Sequence, residues 1–217
     1  MTKQYEDDVW PSPIKGWYVT FVFLIAFVFS LIDRQILNLL VIPIQKDLSL
    51  SDTQISLLQG LAFVVTYVTM SVPFGRLIDK FNRVRIMISG VIIWSVTTFA
   101  CGLSRSFGEL MVARMGVGAG EAALSPAAWS ILADYFKPEN LSLPISIYLM
   151  GPYIGAGLAM ILGAQVLDLT AGRDTIDVFL LGSIAPWQLT FIVVALPGII
   201  ITALLLTVRE PERKNRK

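Results

Sequence analysis

Histidine is absent from these 217 residues, cysteine occurs once, and charge is scarce; each shortage removes a class of chemistry. Without histidine the chain lacks the commonest metal ligand and the usual proton carrier near neutral pH. The single cysteine, Cys101, sits inside an apolar block, so no disulfide and no cysteine metal framework can be built on it. No metal and no cofactor is therefore expected. No nucleophile motif and no Walker-type phosphate loop is found, which speaks against an enzyme and against an ATP-driven pump. Charged residues make up 15% of the chain, against about 25% in an ordinary soluble domain. The net charge of +1 gives no reason to expect a nucleic-acid partner.

Apolar residues are what the chain has in excess: 55%, gathered in blocks rather than in amphipathic stripes. Six blocks, at 17–44, 53–78, 84–104, 107–133, 142–167 and 187–208, each reach the roughly 20 residues needed to cross a bilayer core. The expected fold class is all-α, a polytopic membrane protein of six transmembrane helices. Its organisation reads as an N-terminal segment (1–16), a six-helix bundle (17–208) and a short tail or the start of a longer loop (209–217). The first block is too long for a signal peptide, and Glu6, Asp7 and Asp8 precede it where a signal peptide would be basic.

Basic residues set the orientation. Lys3, Lys15, Arg76, Lys80, Arg83, Arg85, Lys137, Arg209, Arg213, Lys214, Arg216 and Lys217 fall on one side; Lys46, Arg105 and Arg173 fall on the other. Both termini are therefore expected in the cytoplasm, with a bacterial inner membrane as the location. Trp10, Trp17, Tyr18 and Trp187 stand near span ends, as aromatic belts do. The external connector 168–186 carries a short apolar stretch at 179–181, expected to lie on the membrane surface.

Three motifs carry a family resemblance. The loop after the second span reads Gly75-Arg76-Leu77-Ile78-Asp79-Lys80-Phe81-Asn82-Arg83-Val84-Arg85. It is similar to the hallmark loop of the major facilitator superfamily, G-x-L-a-D-r-x-G-R-[RK]-x. Asn82 replaces the second glycine and is expected to take the left-handed turn in its place. The fourth span holds Arg114 followed by Gly116, Gly118 and Gly120, which resembles the family's intramembrane arginine and small-residue run. Those glycines let a helix or a substrate come close. In the fifth span Gly151-Pro152-Tyr153-Ile154-Gly155 partly matches the antiporter motif; a kinked packing helix explains it nearly as well. Asp33-Arg34-Gln35-Ile36-Leu37-Asn38 in the first span, the turn Pro43–Leu48 and Ser51-Asp52-Thr53-Gln54, together with Arg114 and Glu121, resemble the spinster-like branch, which includes lysolipid and sphingoid-lipid transporters. The resemblance covers the N-terminal half of such a transporter. It implies a cytoplasmic gate built on Gly75, Asp79, Arg83 and Arg85, and a substrate site between two six-helix halves.

Only Asp33, Arg34, Arg114 and Glu121 lie well inside the spans. Each costs roughly 2.5–3.5 kcal/mol at a helix centre, and two of each sign can neutralise one another. Counted at 1.5 Å per residue from the outer face, Arg114 lies at about 10 Å, Asp33 at about 16 Å and Glu121 at about 21 Å. A carboxylate there is pulled towards protonation by desolvation and towards ionisation by an arginine, the opposition a reversible proton carrier needs. A purely structural ion network is the other reading. Asp33 and Glu121 are the expected proton-coupling acids; Arg34, Arg114, Asn38, Gln59 and Tyr67 are the expected charge network and substrate contacts.

These features point to a secondary transporter, or half of one, working by proton-coupled alternating access on a small or amphipathic solute of lysolipid-like or other organic type. An organic-anion symporter or facilitator, or a non-transporting six-helix membrane protein, are the alternatives. The expected partners are the lipid bilayer, the substrate, protons, and a C-terminal six-helix half or a second copy. The topology is testable: a cysteine at Arg173 should react with an impermeant thiol reagent in intact cells and one at Lys80 should not. The reverse pattern would overturn the orientation.

Overall fold

The computed structural model describes residues 10–169, 175–179 and 182–214. The sequence-based expectations placed on Lys3, Glu6, Asp7, Asp8, Arg173, Arg216 and Lys217 lie outside the described residues. The six apolar blocks are six helical rods, most of them segmented. The first is α1 (Pro13–Leu39) followed by α2 (Val41–Leu48). The second is α3 (Asp52–Ser56), one wide π-helical turn at Leu57–Leu61, and α4 (Ala62–Lys80). The third is the unbroken α5 (Arg83–Leu103). The fourth is α6 (Phe107–Glu121) and α7 (Leu124–Tyr135), the fifth α8 (Ser142–Leu149) and α9 (Gly151–Leu169), the sixth α10 (Pro186–Ala195) and α11 (Pro197–Thr207).

The blocks at 17–44, 107–133, 142–167 and 187–208 were read as single spans, with a kink allowed for only in the fifth, and all four are interrupted. The cause is proline, which has no N–H to donate and whose ring collides with the carbonyl four residues back. Each interruption falls at or just before such a point: Leu40 ahead of Pro43, Ala122 and Ala123 ahead of Pro126, Met150 ahead of Pro152, Leu196 ahead of Pro197. Among the described residues five segments are long and apolar enough to cross a membrane by length and composition: Pro13–Leu39, Asp52–Lys80, Arg83–Leu103, Pro138–Val166 and Pro186–Thr207. The fourth rod is outside that set, being divided into helices of 15 and 12 residues and carrying Arg114 and Glu121. Of the apolar stretch expected on the membrane surface at 179–181, only Phe179 is described; 180 and 181 lie outside the described residues. Strands β1 (Ile176–Val178) and β2 (Gly182–Ile184) pair antiparallel, with Phe179 fully outward beyond β1.

Packing sets the middle of the bundle apart from its ends. Near the end where α1 begins, Val19, Phe23, Met87, Trp94, Leu132 and Tyr148 form one buried apolar cluster. Towards the other end Ile36, Leu40, Leu58, Val117, Trp187 and Phe191 form a second. Asp33, Arg114 and Glu121 lie between the two. Outward-facing positions are apolar: Val96 on α5, Met160 on α9, Ile199 and Leu206 on α11 are all exposed. Charge inside and hydrocarbon outside is the pattern of a protein whose solvent is lipid.

Glycines let the rods touch. A Cβ at Gly155 would lie 2.5 Å from the Val28 carbonyl oxygen and 2.8 Å from Leu31 Cβ, so α9 rests its backbone on α1. At Gly157, two residues on, a Cβ would meet nothing within 4 Å. Gly155→Val should therefore lower membrane abundance and melting temperature, with an overpacking penalty of about 1–3 kcal/mol. Gly157→Val should leave both unchanged. Equal behaviour of the two variants in a thermal-shift assay would remove this contact from the account.

Candidate functional site

Asp33 and Arg34 are consecutive on α1, so their side chains leave it about 100° apart. Asp33 turns towards α5 and α6, where Thr98 Oγ1 donates to its Oδ2 and Arg114 Nη1 donates to its Oδ1 at 3.5 Å. Arg34 turns towards α4 and α6. Helical side chains lean towards the helix N-terminus, and Arg34 Nη2 reaches Glu121 Oε2 at 2.5 Å, where Ser30 Oγ also donates at 2.7 Å. The four charges thus divide into two pairs, Asp33 with Arg114 and Arg34 with Glu121. Asp33, Arg114 and Glu121 are 1–3% exposed at the side chain, whereas Arg34 is 34% exposed. Arg34 is the member of the set that meets the open face.

An aromatic platform supports both arginines. Phe63 and Tyr67, one turn apart on α4, stack at 5.6 Å. The Arg34 guanidinium lies 4.3 Å from the Phe63 ring centre and 5.4 Å from that of Tyr67, and Arg114 lies 5.8 Å from Phe63 on the same ring system. Next to it, Gln59 Nε2 donates to Asn38 Oδ1 at 3.0 Å, and Asn38 Nδ2 to Gln35 Oε1 at 2.7 Å. Gln59 sits in the π-helical turn, a distortion frequent at functional sites. Arg34, Asn38, Gln59 and Tyr67 therefore share one polar, accessible face. Glu121 Oε1, Arg34 Nε and Arg114 Nε are buried with no hydrogen-bond partner among the described residues.

The glycine run seats this arrangement. A Cβ at Gly118 would come within 2.5 Å of the Phe63 carbonyl oxygen, and one at Gly120 within 2.5 Å of Trp94 N. Gly116 faces Thr97. The three glycines hold α6 between α4, which carries the aromatic platform, and α5, which carries Thr98. Gly151 likewise faces Phe27 on α1, and Pro152 accompanies the break at Met150 that lets the fifth rod follow α1.

The loop motif is built differently from its sequence-based reading. Asn82 does not take a left-handed turn: its φ is −65° and ψ 115°, and its Oδ1 accepts from Arg85 N at 2.8 Å as the N-cap of α5. A capping side chain satisfies an orphan N–H, which the glycine it replaces could not do. Arg83 is buried, not a solvated loop charge. Its Nη1 donates to Asp134 and to Ser130, its Nε to Glu210 Oε1 at 2.6 Å, and its Nη2 to the Pro211 carbonyl at 3.0 Å. Arg213 donates to the carbonyl oxygens of Ile78, Asp79 and Phe81, closing the C-terminal end of α4 with a cation. Asp79 and Arg85 are exposed, and a Cβ at Gly75 would meet nothing within 4 Å. Asp134, one residue beyond the fourth apolar block, and Glu210 are partners that sequence reasoning missed. Ser30 and Thr98 are others. Ser30 was findable, being one turn before Arg34 on the same face; Thr98 carried no signal that separates it from other threonines in apolar helices.

A bundle of apolar-surfaced rods around a buried four-charge set defines a multi-pass membrane protein of transporter type. The sequence profile of the Major Facilitator Superfamily matches residues 23–217, and the chain belongs to that family, corresponding to the N-terminal half of a transporter of its spinster-like branch. It is 26% identical over 197 residues to an MFS-type efflux pump of Mycolicibacterium smegmatis, covering 91% of this chain and 42% of the pump. It is 32% identical over 141 residues to the sphingosine-1-phosphate transporter SPNS2 of Xenopus tropicalis, covering 64% of this chain and 27% of that protein. A bacterial homologue of the human lysosomal transporter Spinster, solved inward-facing and unoccupied, superposes with a TM-score of 0.85 at 33% identity, covering 95% of this chain and 46% of that one. The chain thus spans less than half the length of the relatives it matches.

Arg83 generates a test. Arg83→Ala leaves Asp134 and Glu210 without the cation they share, and removing one partner of a buried ion pair costs about 3–5 kcal/mol. Melting temperature and membrane abundance should both fall. Arg85→Ala, two residues away and exposed, should stay within about 0.5 kcal/mol of the parent. An unaffected Arg83→Ala variant would mean that the cluster holds nothing together.

Proposed function

We propose that this chain acts as the N-terminal half of a proton-coupled secondary transporter. It moves an amphipathic, lysolipid-like or other organic solute across a bacterial inner membrane by alternating access, with both termini in the cytoplasm. The six-helix bundle (17–208) carries the pathway, flanked by segments 1–16 and 209–217. The observation that carries the reading is the unequal exposure of the four-charge set: three members are sealed and Arg34 alone meets the open face. With both carboxylates ionised the set is neutral. A proton on Asp33 or Glu121 leaves one positive charge in excess in a poorly screened site. That excess favours an anionic group at Arg34, which is placed to take one with charge-assisted hydrogen bonds. Proton and anionic headgroup then favour each other's binding.

The face around Arg34 suits an amphipathic solute. Asn38, Gln59 and Tyr67 offer polar contacts for a headgroup, and the exposed Val64 and Val68 of α4 offer apolar surface for a chain. The named substrate of the Xenopus relative is a lipid phosphate, which has this combination. An organic anion without a chain is the second reading, favoured by the two arginines over one ring system. Gly75, Asp79 and Arg85, on open surface, would form the gate, with the buried Arg83 bracing its base, where a C-terminal six-helix half, or a second copy, closes over this face.

In liposomes holding the assembled transporter, Asp33→Asn and Glu121→Gln should each abolish proton-driven uptake with protein abundance nearly unchanged. Arg114→Ala should lower abundance more, because it leaves buried carboxylates less well paired. Proton uptake on substrate addition that stays normal in both acid variants, with a normal pH dependence, would make the cluster a packing device and end the proton-coupled reading.

A further inference from the structure

A hydroxyl in an apolar helix ordinarily returns its proton to a carbonyl of its own helix one turn back. Thr20, Ser71, Ser95 and Thr97 do so here, at 2.7–2.9 Å. Ser30 does not. It is 1% exposed, and its Oγ donates across the bundle to Glu121 Oε2 at 2.7 Å. Thr98 departs from the habit in the same way, towards Asp33. These two hydroxyls thus serve the two carboxylates of the four-charge set. Only Glu121 is paired with a cation that reaches the open face.

Ser30 and Arg34 are four residues apart on α1 and share a face. Arg34 Nη2 meets the same Oε2 at 2.5 Å, so two donors fill the lone pairs of that oxygen. Oε1 is buried and has no partner among the described residues. The two donors differ in freedom. Arg34 is long and 34% exposed, and its contact with the Phe63 face breaks no hydrogen bond if it moves. Ser30 has a short side chain and cannot follow it. An anionic headgroup at Arg34 draws the guanidinium away from Glu121. A buried carboxylate that loses its cation and has no donor left is strongly disfavoured. Ser30 supplies the one hydrogen bond that Glu121 then keeps. We infer that Ser30 is a positioning residue for substrate binding: its hydroxyl keeps Glu121 seated while Arg34 passes from that carboxylate to the anionic group of the solute. The inference rests on the anion-binding role of Arg34 proposed above and adds the residue that lets the arginine be released.

Equilibrium binding of 1-oleoyl lysophosphatidic acid, a lipid phosphate, to the assembled transporter at fixed pH reads this directly. Ser30→Ala should weaken binding at least five-fold, and Ser30→Cys, close in volume and a poor donor, at least two-fold. Thr20→Val removes from the same helix a hydroxyl bonded to its own backbone, and should stay within two-fold of the parent. Glu121→Gln no longer shares Arg34 with a carboxylate and should bind at least as tightly as the parent. In that background no charge remains to be held, so Ser30→Ala should cost less than two-fold. A packing role for Ser30 would give the same loss in both backgrounds, and that result overturns the inference. Parent-like affinity in Ser30→Ala or Ser30→Cys, or weakened binding in Glu121→Gln alone, does so as well. No binding of the probe by the parent, or parent-like binding by Arg34→Ala, contradicts the role of Arg34 itself and takes the inference down with it.

Discussion

Two carboxylates and two arginines at mid-depth in a bilayer can remain charged only in one another's company, and the arrangement of the rods follows from that requirement. An isolated charge at that depth would cost several kcal/mol or lose its ionisation. Here α1 supplies Asp33 and Arg34 on adjacent faces, α6 supplies Arg114 and Glu121 two turns apart, and Thr98, Ser30 and Phe63 complete their surroundings. Every helix that contributes must come close to α6, and the glycines at 116, 118 and 120 provide the room. The apolar clusters above and below the set then have fixed places.

A second charged cluster, at the end of the bundle, ties down the segment after the sixth rod. Arg83 joins the end of α7 to Glu210, and Arg213 closes the end of α4. These contacts lie among the first six rods and the residues that follow them. They brace this half internally, while Gly75 and Asp79 stay on open surface. The two clusters therefore differ in kind: one is closed on itself, and the other presents Arg34 outward.

Much of this was legible in the sequence because bilayer physics writes in large units. Six blocks of spanning length, and four charges where hydrocarbon should be, are visible without any partner information. Depth put Asp33 between Arg114 and Glu121 without choosing a partner, and Arg114 is the one it meets. Depth could not separate the faces of α1, so the pairing of Arg34 with Glu121 was not foreseen. Helix breaks in the first, fourth and sixth rods were missed because proline acts on the carbonyl a turn earlier, away from its own position; only the fifth rod's kink was allowed for. Arg83 read as one more cytoplasmic basic residue because its partners, Asp134 and Glu210, are 51 and 127 positions distant along the chain. Asn82 was read by its tolerance of positive φ when its side-chain oxygen was what the helix start required. The pairing of Ile176–Val178 with Gly182–Ile184 was not foreseen, because three-residue strands carry too little alternation to read.

Coupling, on this account, resides in the balance of one small set of charges rather than in a long relay. Adding a proton changes the net charge seen at Arg34 by one unit, and the aromatic platform keeps that arginine in place whichever form the acids take. Infrared difference spectroscopy of the assembled transporter in lipid, taken across a pH step, tests this most directly. The account predicts a protonated-carboxyl C=O band that appears reversibly as the pH falls, shifts when substrate is added, and loses intensity when Asp33 or Glu121 is replaced by its amide. A spectrum without any such band over the pH range in which the protein stays folded, or a band indifferent to both replacements, would contradict it.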